Sequence, residues 1–76
     1  MKTSELAAIL RERYHGANDR EVALTIHLFG IEFADQLAGQ PIKEICIGAD
    51  VPASYQTEIR KGMRIAPHVQ LKASRG

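Results

Sequence analysis

Seventy-six residues allow one domain, and a chain this short needs a compact core or one completed by a partner. Apolar residues make up 45% of it and charged residues 25%, which excludes disorder; Cys46 is alone, which excludes an intrachain disulfide and a secreted, stapled scaffold. The net charge of +1 hides a split: residues 1–50 sum to −3 and residues 51–76 to +4, so the basic half is either a solvated tail or a surface for an anionic partner.

The N-terminus is polar and lacks an apolar stretch behind a basic start, and no segment has the length of a membrane span. A cytoplasmic protein is therefore expected, and the lack of an organellar signal fits a bacterial or phage source. The first helix is expected to begin at Thr3 or Ser4, either of which can cap it through a hydroxyl. Leu6, Ile9, Leu10 and Tyr14 then recur at three- and four-residue steps, and Gly16 ends the run.

A second helix is expected from Glu21 to Ala38, with Asn18 and Glu21 at capping-box spacing. Val22, Ile26, Phe29 and Phe33 share one face of it, while Leu24, Leu28 and Ile31 fall on another. A helix apolar on two sides is buried on two sides, and in so small a protein the second burial points to another subunit. Mid-helix Gly30 costs about 1 kcal/mol relative to alanine, which a close helix crossing there would offset.

Gly39-Gln40-Pro41 breaks the chain, and a third helix follows from Ile42 to Ala49 with Ile45, Cys46 and Ala49 facing inward. After a turn at Asp50-Val51-Pro52, a fourth helix is expected from Pro52 or Ala53 to Lys61, stopping at Gly62, with Tyr55 and Ile59 inward. Residues 63–76 read two ways. Met63, Ile65, Val69 and Leu71 alternate with polar residues as a strand would, yet Pro67 can open a short helix.

Residues 42–62 carry the functional signal. Two short helices crossing steeply need a small residue where they meet, and Cys46 stands there with Ala49 beside it. The tight turn needs a residue tolerant of a left-handed backbone, for which Asp50 serves, while Val51 plugs the angle and Ile59 anchors the second helix. With the run Ser54-Tyr55, Glu58-Ile59, Lys61-Gly62, the segment resembles the helix-turn-helix of lambda-repressor/Cro-like DNA-binding domains. Gln56 and Pro52 differ from that family's usual apolar anchor and capping hydroxyl.

The resemblance implies a transcriptional regulator that binds double-stranded DNA and places its second motif helix in the major groove. Ala53, Ser54, Thr57, Glu58 and Lys61 would then face the bases, and Lys43, Arg60 and Arg64 the phosphates. One short recognition helix offers few base contacts, so a homodimer is expected, with Leu28, Phe29 and Phe33 at or under its interface.

No catalytic constellation, metal site or cofactor motif is legible. His15, His27 and His68 are scattered, and Cys46 has nothing near it in sequence to activate a thiol. His15 suits a helix C-terminus, and His27 an interface or surface. The expected fold is an all-α, compact bundle of four to five helices in a single domain over residues 1–76. The competing reading is a non-catalytic adaptor that docks through its apolar second helix and does not bind DNA. Where the basic residues fall relative to the exposed face of the last motif helix decides between them.

Overall fold

A computed structural model describes residues 1–70, and every regular element among them is helical, as the three- and four-residue apolar spacing predicts. Helix α1 spans Thr3–Gly16. Its cap is Lys2, so it starts one residue earlier than a Thr3 cap and two earlier than a Ser4 cap would place it. The Lys2 backbone N–H donates to Glu5 Oε1 at 2.7 Å, which puts a carboxylate at the positive end of the helix dipole. The Thr3 hydroxyl instead donates to Gln40 Oε1, 37 residues away, and Gln40 Nε2 donates to the Met1 carbonyl at 2.9 Å. These bonds pin the start of the chain to the loop around Gln40.

The Asn18/Glu21 pair does not cap a long helix. It closes a 3-10 turn over Asp19–Glu21, with the Glu21 N–H donating to the Asn18 carbonyl at 2.8 Å. Helix α2 then runs Val22–Glu32, and a single turn, α3, runs Ala34–Leu37. The uninterrupted helix expected over Glu21–Ala38 is thus bent at Phe33, where φ is −107° and ψ is 22°. Backbone bonds from Phe33 to Phe29 and from Leu37 to Phe33 persist across the bend.

A tertiary grip marks the bend. Arg13 of α1 bonds both Glu32 carboxylate oxygens, at 2.5 and 3.2 Å, and its guanidinium sits 5.2 Å from the centre of the Phe33 ring. That ring rests on Phe29, 5.2 Å away. The guanidinium bond holds the Glu32 carboxyl below the usual carboxylate range.

Gly39, at φ 79°, turns the chain into α4, Ile42–Gly48, and helix α5 spans Gln56–Ile65. A 3-10 turn over Ala66–His68 follows, so the helical reading of the C-terminal segment holds through His68 and no strand occurs among the described residues. Residues 71–76, the rest of that ambiguous segment, lie outside the described residues. The core is one cluster in which Leu6 and Leu10 of α1, Ile26 and Phe29 of α2, Ile45 and Cys46 of α4 and Ile59 of α5 meet. No helix among the described residues is long and apolar enough to cross a membrane.

Candidate nucleic-acid interface

Helices α4 and α5 form a helix-turn-helix, and the turn shows why the local sequence gives it. Asp50 adopts the left-handed conformation at φ 59°, which a short polar side chain tolerates better than a branched one. The Val51 N–H reaches back to the Cys46 carbonyl at 2.9 Å, and the Asp50 N–H to Ile47 at 3.1 Å. These two bonds make a Schellman ending, which satisfies carbonyls that the end of α4 would otherwise leave free. Val51 is 4% exposed and Cys46 and Ala49 are fully buried, so the plug and the small residues at the crossing lie where the sequence predicts them.

The approach to α5 differs from expectation. Ala53–Tyr55 form a 3-10 turn before the α-helix starts at Gln56. Tyr55 lies edge-on to Tyr14 of α1, with ring centroids 5.8 Å apart, so the first helix buttresses the entry to the fifth.

Gly62 is not a stop. Helix α5 continues to Ile65, and Gly62 is buried against α2. A Cβ added at Gly62 would lie 2.4 Å from the His27 carbonyl oxygen, and one at Gly30 2.4 Å from the Ile59 carbonyl oxygen. The crossing expected at Gly30 therefore exists, and it needs a glycine on both helices.

With Ile59 and Gly62 turned inward, the opposite face of α5 is fixed by helical geometry. Thr57, Arg60, Lys61 and Arg64 stand at i, i+3, i+4 and i+7, and all four are exposed. Three of the four are cations. They form a basic stripe along the second motif helix, and Lys43 is also exposed on α4.

Among the residues expected to face bases, Ser54, Thr57 and Lys61 are open to solvent, while Ala53 is half-buried. Glu58 is turned toward α2. Its Oε1 lies 2.9 Å from His27 Nε2 and its Oε2 lies 4.0 Å from Lys61 Nζ. The residues expected at a subunit interface separate by burial. Leu28 is 38% exposed, Phe33 is half-buried under Arg13, and Phe29 is fully enclosed in the core of its own chain. Phe29 thus lies under the surface rather than on it, because it faces Ile26 and the core. Leu24, one turn before Leu28, is 52% exposed.

Sequence reasoning left Leu24 out of the interface set, although its four-residue spacing from Leu28 was visible. It also missed the contact of His27 with Glu58, which joins positions 31 residues apart and has no local signature.

Among known protein families, the model of one described as an HTH-like domain matches residues 2–72. No curated protein and no solved structure matches this chain.

Proposed function

The chain belongs to the HTH-like domain family, and from that premise we propose that it binds double-stranded DNA sequence-specifically, as a homodimeric transcriptional regulator. The observation that carries the reading is the basic stripe of Arg60, Lys61 and Arg64 on the exposed face of the second motif helix. Net charge near zero would not draw the protein to DNA, but cations gathered on one helix meet the phosphates together. Arg60 and Arg64, with Lys43 from α4, contact phosphates and set the register. Ala53, Ser54, Thr57 and Lys61 approach the base edges, and Lys61 is suited to guanine O6 and N7. Glu58 accepts from a cytosine amino group when it swings away from α2.

The dimer contact is assigned to the outer face of α2. Leu24 and Leu28 lie opposite the buried pair Ile26 and Phe29, so this face is free after the core is complete. Two apolar residues one turn apart on a helix are a natural seam for a second copy. The adaptor reading uses the same face, but it leaves the basic stripe on α5 without a role. A titration of labelled duplex against protein at several salt concentrations tests the proposal: binding that weakens steeply with salt supports it, and no binding at low salt refutes it.

A further inference from the structure

Charge along the chain changes character after Glu58. All nine carboxylate side chains lie at or before that residue, whereas five of the ten Lys and Arg residues lie after it: Arg60, Lys61, Arg64, Lys72 and Arg75. The proposed DNA contacts use the first three. Lys72 and Arg75 lie beyond the described residues, and their part follows from charge, order in the chain and the place where the chain leaves the fold. With no Asp or Glu from Ile59 onward, no neighbour in sequence compensates them.

That place is the end of the second motif helix. Core packing stops at Gly62, buried against α2, and at half-buried Met63. From Arg64 to Gln70 every residue except half-buried Ala66 is exposed. The Val69 N–H donates to the Ala66 carbonyl at 3.4 Å and closes the 3-10 turn, while Val69 itself is extended at φ −134° and ψ 162°. The described chain therefore ends in solvent, just past the last cation of the stripe, and not folded back over the core. The six residue steps from Val69 to Arg75 span up to about 20 Å when extended. A major groove is about 12 Å wide, so a chain leaving α5 in that groove is long enough to reach the phosphates on its border.

We infer that residues 69–76 are a basic arm that continues the stripe of α5 onto the DNA backbone, with Lys72 and Arg75 contacting phosphates. The inference rests on the DNA reading and extends its surface past the motif. A cation on a phosphate oxygen gains as much from one duplex as from another, so the arm adds affinity and leaves discrimination to α5. Its contribution is large relative to the motif's own. The stripe supplies Arg60, Lys61 and Arg64, and α4 adds Lys43. Two further contacts release two further counterions, which steepens the dependence of binding on salt.

Duplex titrations across a range of salt test it, comparing wild type with the full-length double variant Lys72→Gln/Arg75→Gln. Loss of two phosphate contacts should flatten the slope of log K against log salt by about 1.8. The unfolding midpoint and the ratio of affinities for favoured and random duplexes should not change. Arg11→Gln/Arg20→Gln removes the same charge from exposed positions on α1 and the turn before α2, and should keep the wild-type slope. A wild-type slope in Lys72→Gln/Arg75→Gln overturns the inference; if Arg60→Ala still flattens the slope, the DNA reading stands without the arm. Equal flattening by both double variants also overturns it, because net charge and not position would then be the cause. So does a lowered unfolding midpoint with an unchanged slope, which would assign the two cations to the fold. If wild type itself shows no salt-dependent binding, the DNA reading has failed and the arm falls with it.

Discussion

Gly30 and Gly62 face each other across the contact of α2 and α5, and a Cβ built on Gly62 would come 3.1 Å from the Gly30 Cα and 2.4 Å from the His27 carbonyl oxygen. Neither neighbour is a flexible side chain that could swing aside, so the helices must separate to admit even a methyl group. Alanine gains about 1 kcal/mol of helix propensity over glycine, but overpacking against backbone costs about 1–3 kcal/mol or more. Gly62→Ala and Gly30→Ala are therefore each expected to destabilise the fold, whereas Gly16→Ala, with open space around it, is not. Urea unfolding of the three variants checks this; a Gly62→Ala protein as stable as wild type would mean the helices do not touch.

Cys46 tests the other crossing, that of α4 with the core. It is fully buried, and burial pushes its thiol up despite the opposing charge of Arg60. Cys46→Ala should cost little, while Cys46→Phe should cost about 1–3 kcal/mol by overfilling the site. The native thiol should react with alkylating reagents only at the rate at which the protein opens. Rapid labelling of the folded protein would contradict the placement.

The grip of Arg13 on Glu32 carries a pH dependence with a definite sign. Its hydrogen bond to Arg13 lowers the Glu32 carboxyl below its ordinary value in the folded protein. The stability it adds is therefore fully present above the unfolded carboxylate value and is lost as pH falls through the folded one. Both side chains are substantially exposed, at 35% and 42%, so a double-mutant cycle at neutral pH should give only about 0.2–1 kcal/mol. The coupling should vanish in acid; coupling that grows on acidification would reverse the assignment.

Much of this architecture was legible in the residues themselves. The inward set Ile45, Cys46 and Ala49, the left-handed Asp50, the plug Val51 and the crossing at Gly30 are all local consequences of side-chain size and backbone preference. What was not legible depends on partners distant in sequence. The bend at Phe33 lies where Arg13 from α1 grips Glu32 and the ring, and propensity alone would carry the helix through. Gly62 looked like a helix stop because glycine commonly is one, and only the contact with α2 shows it to be a crossing residue. In the candidate interface, the exposed face of α5 follows from helical spacing, but the orientation of Glu58 does not, since His27 approaches from another helix.

The outer face of α2 provides a test of assembly. Leu24→Glu or Leu28→Glu places a charge on an exposed position and leaves the enclosed Phe29 untouched, so monomer stability should change by less than about 0.5 kcal/mol. The expected outcome is a shift from dimer to monomer in sedimentation equilibrium. A wild-type protein that remains monomeric at high micromolar concentration would remove the dimer from the account.

The most direct measurement is the slope of log K against log salt for duplex binding by wild type, Arg60→Ala and Arg64→Ala. Removing one cation from a phosphate should reduce the steepness of that slope by about 0.9 and weaken binding to all duplexes alike. Thr57→Ala should instead keep the slope and relax preference for the favoured site, at about 1–3 kcal/mol. Steep wild-type binding that flattens in both arginine variants is the predicted result. A wild-type protein with no salt-dependent affinity for duplex DNA at low ionic strength would contradict the central claim.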